Sequence, residues 1–181
     1  MSNGTNVRKR SGSVESLDLN KMHKIVDEAC KDLAGVSASQ VEINSGIQFY
    51  DGITTAEIQE ILIKSASDLI ELESPNYQFV AARLLLFGVR KKLWGRIHEA
   101  PSLGNHITKC IREGVYDPHF TSKYTDQEID ELDSYIDHDR DYLFTYAGLR
   151  QVTDKYLVQD RSTGDLYLSL IHISEPTRQH H

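Results

Sequence analysis

The run Phe79-Val80-Ala81-Ala82-Arg83-Leu84-Leu85-Leu86-Phe87-Gly88-Val89 constrains the fold more than any other stretch of this 181-residue chain. It is apolar nearly all round, whereas a helix at a protein surface keeps one polar face. Such a segment has to lie at the centre of a module, with other elements wrapped about it. Ser74-Pro75 ahead of it offers a cap followed by proline at the first helical position. Arg90-Lys91-Lys92 closes it with cations, which suits the negative end of a helix dipole.

The segments before it supply the wrapping. Met22, Ile25, Val26, Ala29, Cys30 and Leu33 recur at helical spacing, so the pattern predicts a helix from about Asn20 to Leu33, ended by Gly35. Ser37 or Ser39 caps a second helix carrying Val41, Ile43 and Ile47, which Asp51-Gly52 breaks. Thr54-Thr55-Ala56-Glu57 reads as a capping box opening a third helix, with Ile58, Ile61, Leu62, Leu69 and Leu72 on one stripe. Near the N-terminus, two short β-capable pieces flank Ser11-Gly12-Ser13, where glycine can take the positive φ of a tight turn. The expected fold is mainly α: a β-hairpin leading a four-helix bundle over residues 1–95.

Past Gly95 the pattern changes. Leu103 to Ile111 reads as a short helix stopped by Gly114, Asp126 to Tyr135 as an acidic helix, and Phe144 to Val152 as another. Tyr156-Leu157-Val158-Gln159 and Asp165-Leu166-Tyr167-Leu168, joined across Ser162-Thr163-Gly164, read as a small β-hairpin. Residues 96–169 are too few to close a core of their own and look like the helical start of a larger domain. Residues 170–181 have no period and no capping logic; they read as a non-native tail.

Charge and composition exclude several classes. A formal net charge of −7 argues against DNA or an anionic membrane as partner. No run approaches the roughly 18 apolar residues of a membrane span, and the N-terminus lacks a signal peptide's apolar segment, so the expected location is the cytoplasm. The two cysteines, Cys30 and Cys110, suggest neither a zinc ribbon nor a disulfide framework and read as small buried hydrophobes. Asp137-His138-Asp139-Arg140-Asp141 has the acid spacing of a calcium loop. Tyr142 and Gly148, however, stand where that loop needs glycine and a bidentate acid. It reads instead as a charged turn that caps the helix after Phe144 or braces against a part of the domain beyond these residues. No metal is expected.

Arg8, Lys9, Arg10 and Lys21 crowd the hairpin and the start of the first helix, with Glu15 among them. Cations beside a turn are ordinarily solvated surface charges. Here a helix start at Thr54-Thr55 offers free N–H groups and about half a positive charge, a ready phosphate seat. Lys9, Arg10 and Lys21 could converge on one anion while Glu15 accepts from an amine. Lys91 is a further cation, with dipole compensation as its plain role. Together these outline a nucleotide site without a Walker loop.

The segment Val7-x-Lys9-Arg10-x-Gly12-x-x-Glu15-x-Leu17-Asp18-x-x-Lys21 resembles the opening of an ATP-cone, the allosteric nucleotide module of ribonucleotide reductases. The resemblance continues through Val36-Ser37-x-Ser39-Gln40-Val41-Glu42, Ile47-Gln48-Phe49-Tyr50-Asp51-Gly52-Ile53 and Tyr77-Gln78-x-x-Ala81-Ala82-Arg83-Leu84. It extends to Tyr135-Ile136-Asp137-His138-Asp139-Arg140-Asp141 and Lys155-Tyr156-Leu157-Val158-Gln159. The pattern is similar to the large (alpha) subunit of class Ia ribonucleoside-diphosphate reductase, in register from residue 1 to about 169.

That resemblance implies an allosteric site for ATP or dATP. Lys9, Lys21, Lys91 and Thr55 would hold the triphosphate, with Arg10 beside them. The segment Glu15-Ser16-Leu17-Asp18 would enclose adenine and ribose, continuing through Leu19 and Asn20 into the helix. Gln59 stands where relatives often carry a histidine near the nucleotide, and Glu28 where they carry an aromatic. Glutamine keeps hydrogen bonding but is never cationic, so this departure bears on telling dATP from ATP more than on binding. The implied enzyme depends on thioredoxin or glutaredoxin, pairs with a radical-generating small (beta) subunit and a second large subunit, and keeps its catalytic cysteines on a barrel beyond these residues. No catalytic residue is therefore assigned. Two rival readings remain: the cone of a transcriptional regulator, which would require paired C-x-x-C motifs and a basic surface, and a helical interaction domain without a ligand.

Overall fold

The computed structural model describes residues 5–9, 11–46, 48–157 and 166. Arg10, Ile47, most of the hairpin expected over 156–168 and the 170–181 tail lie outside the described residues. In chain order the elements are β1 (Asn6–Arg8), β2 (Val14–Ser16), α1 (Leu19–Cys30), α2 (Ala38–Gly46), β3 (Ile53–Thr54), α3 (Thr55–Ser67), α4 (Tyr77–Trp94), α5 (Leu103–Arg112), α6 (Asp126–Ser134) and α7 (Tyr146–Lys155). Two 3-10 turns, Pro118–Ser122 and His138–Leu143, precede α6 and α7. The chain divides into two compact units. One holds the residues up to Leu86 with Tyr142–Arg150; the other holds Phe87–Asp141 with the residues from Gln151.

The first unit is built on a three-stranded sheet of order β2-β1-β3. β1 pairs antiparallel with β2 through Asn6↔Ser16, Val7↔Glu15 and Arg8↔Val14, and parallel with β3 through Val7↔Ile53 and Arg8↔Thr54. The hairpin is as expected: Gly12 N donates to Lys9 O at 2.9 Å, Lys9 N to Ser13 O at 2.8 Å, and Gly12 takes φ +83°. Val7 and Ile53 turn inward with Val26, Val41, Leu62 and Ile63. The all-apolar run lies at the centre, where Val80, Ala81, Ala82, Leu84, Leu85 and Leu86 are all buried.

Several helix boundaries and faces differ from the sequence expectation. α1 ends at Cys30, short of Leu33, and Asp32 takes φ 59° before Gly35. Arg83 donates to the carbonyls of Ala29 and Lys31, so an α4 side chain closes the helix where spacing alone would continue it. In α2, Ile43 is 67% exposed, because Val41 and Ser45, one turn apart, form the inward face. α3 stops at Ser67, which leaves Leu69 beyond its stripe and Leu72 94% exposed; Leu62, Ile63, Ser65 and Ala66 face the core. α4 begins at Tyr77. Ser74 and Pro75 form a turn whose carbonyls accept from Tyr77 N and Gln78 N. The buried Tyr77 hydroxyl donates to Gln40 Oε1 at 2.6 Å and accepts from Ser37 N at 3.0 Å.

In the second unit α5 packs on α6 through Leu103, Ile107 and Ile129, flanked by Ile111, Tyr116 and Ile136. α5 ends as expected ahead of Gly114, at φ +72°. The segment after Asp137 forms the second 3-10 turn, and, contrary to expectation, what it braces lies within these residues: buried Arg90 donates through Nη2 to Asp141 Oδ2 at 2.9 Å and to His138 O at 3.0 Å. It does not cap α7, which starts at Tyr146 behind Thr145, whose hydroxyl accepts from Gly148 N. Cys110 is buried, but Cys30 only partly; burial, then the charge of Asp27, pushes the Cys30 thiol up to about 11. Among the described residues no helix is long and apolar enough to cross a membrane, and no group of three His, Cys, Asp or Glu could hold a metal ion.

Candidate functional site

The sheet decides which of the candidate residues meet. Side chains alternate along a strand, so Lys9 shares the face of Val7, and the Val7↔Glu15 pairing puts Glu15 on that face too. Lys9 Nζ lies 2.6 Å from Glu15 Oε2, each side chain nearly half exposed. An ion pair this open adds little stability. Its consequence is positional: it fixes an ammonium at the hairpin end over the buried Val7.

The parallel partner brings in a helix. Because Arg8 pairs with Thr54, Lys9 and Thr55 each stand one residue beyond a paired position, so the hairpin cation and the first residue of α3 adjoin at one end of the sheet. Thr54, not Thr55, is the cap: its hydroxyl accepts from Glu57 N at 3.2 Å, and Glu57 Oε2 accepts from Thr54 N at 2.8 Å. Tyr50 OH donates to Glu57 Oε1 at 2.8 Å. The Thr54 hydroxyl, then its N–H, then Tyr50 hold the Glu57 carboxyl below its ordinary range, and the same carboxylate pushes the Tyr50 phenol up. Asp51 Oδ1 accepts from Asn6 N at 2.8 Å and from Asn6 Nδ2 at 2.9 Å, tying the segment before β3 to the start of β1.

The second cluster sits at the other end of β1. Leu17 N donates to Thr5 O at 2.8 Å, and Asp18 caps α1 by accepting from Lys21 N at 3.1 Å. Ser16, Asp18, Leu19, Asn20 and Lys21 are exposed, and Leu17 is half-buried. As β2 runs antiparallel to β1, Lys21 belongs to the Asn6 end and Lys9 to the Arg8 end. A three-residue strand separates the two ends, on the order of 10 Å. The two lysines therefore flank a strand; they do not share one turn.

Gln59 lies one helical turn beyond Thr55 and is half-buried, and its Nε2 donates to Leu84 O at 2.7 Å, which commits the amide to α4. Lys91 is exposed in the last turn of α4, within the second unit. Sequence reasoning missed β3 and its tether. Ile53-Thr54 is too short to show alternation; the available signals were a β-branched pair just after Asp51-Gly52 and just before a helix cap.

The sequence pattern of the ATP cone domain family matches residues 5–92. Among curated proteins, the chain is 49% identical over 163 residues to ribonucleoside-diphosphate reductase 1 subunit alpha of Escherichia coli (strain K12), covering 90% of this chain and 21% of that protein. It is 48% identical to the protein of that name from Salmonella typhimurium, with the same coverage. It is 47% identical to ribonucleoside-diphosphate reductase subunit alpha of Haemophilus influenzae, again over 90% of this chain and 21% of the relative. The chain thus spans about a fifth of the length of these relatives. With the cone pattern lying over the hairpin, β3, α1, α2, α3 and all but the end of α4, the chain belongs to the ribonucleoside-diphosphate reductase alpha-subunit family, as a portion that carries its ATP cone domain.

Proposed function

We propose that residues 1–95 are an allosteric module binding ATP or dATP, and that residues 96–169 begin the helical N-terminal domain of the reductase. The observation that carries the reading is the β1–β3 pairing, which sets Lys9 beside the N-terminal end of α3. A helix N-terminus and an ammonium at one place suit a phosphate chain. Lys9 and Thr55 take the phosphates at that end, Lys21 approaches from the start of α1, and Arg10 enters from the sequence motif alone. Binding exchanges the Glu15 partner of Lys9 for phosphate oxygens. The released Glu15, with Ser16, Leu17, Asp18, Leu19 and Asn20, then lies along the edge that meets adenine and ribose. Lys91 enters from the family resemblance alone.

Regulation follows from differential binding. Two adenine nucleotides that share one site shift an equilibrium only through their unequal affinity for its two states. Gln59 is neutral and holds α3 to α4 through Leu84 O, so it acts on discrimination between ATP and dATP through helix packing. In the full-length protein this module governs the cytoplasmic reduction of ribonucleoside diphosphates to deoxyribonucleotides by an alpha subunit working with a second alpha subunit and a radical-generating beta subunit. The residues described here supply no catalytic group to that reaction.

Calorimetric titration of the chain with ATP and dATP tests the proposal. Saturable binding with one nucleotide displacing the other is the expected result. A folded chain that takes up neither would leave the ligand-free interaction domain as the better reading. Lys21→Ala is expected to weaken triphosphate binding far more than adenosine binding; equal losses would overturn the phosphate role.

A further inference from the structure

We propose that the second unit carries an anion site of its own, separate from the cone, in the cleft between the C-terminal end of α4 and the facing side of α5. The cleft measures about 380 Å³ and is lined by Lys92, Trp94, Arg96, Asn105, His106 and Lys109, with no Asp or Glu in its wall. That volume falls in the range of small-ligand sites. Three fixed positive charges on one concave surface stand out in a chain of net charge −7.

The cations come from two sides. Lys92 lies in the last turn of α4 and Arg96 two residues past its end, while Asn105 and Lys109 are four apart on one face of α5. The plain explanation, cations compensating the carbonyl end of α4, is already met by Lys109, whose Nζ donates to Leu93 O at 2.8 Å. That bond uses one of three ammonium donors and orients the rest. Arg96 gives one nitrogen to Glu99 at 3.1 Å and keeps the remainder of its fork. Trp94 adds an independent observation: its Nε1 is buried with no hydrogen-bond partner among the described residues. The indole N–H can only donate, and buried donors are nearly always matched to an acceptor. A wall rich in donors and fixed positive charge selects an oxyanion of the phosphate class, and the volume admits pyrophosphate or a phosphate ester as well as the free ion.

Trp94 is the only tryptophan in the chain, so its fluorescence reports on this cleft. The full chain is titrated with inorganic phosphate and with pyrophosphate at constant ionic strength, with chloride as reference. A saturable change for both phosphates, tighter for pyrophosphate and absent for chloride, is the expected result. Lys92 and Arg96 are exposed, so Lys92→Gln with Arg96→Gln should preserve the fold, checked by circular dichroism, while weakening binding by about tenfold or more, as expected for lost charge-assisted hydrogen bonds. If the double variant unfolds, Lys92→Gln alone carries the test. Lys9→Ala, in the cone, should leave this signal unchanged. The proposal is overturned by a drift shared with chloride, by binding indifferent to Lys92 and Arg96, or by a signal that disappears with Lys9→Ala.

Discussion

Two helices of this protein start in the same way. Thr54 and Thr125 each cap a helix, and each accepts from the N–H of a glutamate three residues on, at 3.2 and 3.3 Å. Each glutamate accepts in return from the threonine N–H, at 2.8 Å in both. Hydrogen bonds from the cap threonine hold both carboxyls, Glu57 and Glu128, below their ordinary range. Yet only the start of α3 is a candidate phosphate seat. The difference lies in the neighbours. Thr54 belongs to a strand that pairs with β1 and stands opposite Arg8, next to Lys9, whereas Thr125 follows an exposed loop whose cap serves α6 alone. A capping box is thus a device for starting helices, and it becomes part of a site only when a remote strand delivers cations to it.

The sharpest way to break the comparison is to remove the delivered cation. Lys9→Ala is expected to weaken ATP binding by about ten- to a hundredfold, the scale of a lost hydrogen bond to a charged group. The fold should persist, because the Lys9–Glu15 pair is exposed and contributes little. Unchanged calorimetric affinity would make α3 no more of a phosphate seat than α6. The next largest effect comes from the turn that aims the lysine. Gly12 sits at φ +83°, with open space where a side chain would go, so Gly12→Ala meets backbone strain without a clash. It should cost about 1 kcal/mol of hairpin stability and loosen ATP binding severalfold; an unaltered melt and affinity would show that the turn is not held as described.

Replacing the caps themselves tests the two starts side by side. Thr54→Ala and Thr125→Ala should each cost about 1 kcal/mol, the usual worth of such a cap, and Thr→Ser should restore both. Only the first should alter ATP affinity. If Thr125→Ala lowered affinity as much, the effect would be general destabilisation, and the distinction between the helix starts would fail.

The α3 capping box was legible in the sequence as Thr-x-x-Glu, although Thr54-Thr55 leaves the cap ambiguous between neighbours; the same pattern at Thr125 to Glu128 becomes a capping box only in the structure. The central helix was legible because an all-apolar run has one physical solution. The hairpin was legible because only glycine fits its turn cheaply. What periodicity could not give were the places where remote side chains decide: Arg83 closing α1, Asp141 bracing Arg90, and β3 joining β1 across more than forty residues. The candidate site has the same division. Its residue types came from local motifs and resemblance, whereas the placement of Lys9 and Lys21 at opposite ends of one strand follows from sheet register, which no local pattern encodes.

The smallest effect is also the most specific. Glu57 differs from Glu128 by one contact, the bond from Tyr50 OH, the last of the hydrogen bonds that lower its carboxyl. Tyr50→Phe should therefore make Glu57 resemble Glu128, moving its midpoint upward while leaving it below the ordinary glutamate value. The sign for stability follows from linkage. A carboxyl whose folded value is depressed contributes stability that is present above its unfolded value and disappears as pH falls through the folded value. Both caps should thus weaken on acidification, and Tyr50→Phe should raise the pH at which the α3 cap is lost without moving that of α6. Carbon-detected NMR titration of the glutamate carboxyls reads both midpoints in one sample. A Glu57 midpoint that stays put in the variant would mean the Tyr50 bond adds nothing, leaving Lys9 and the β1 register as the whole difference between the two helix starts.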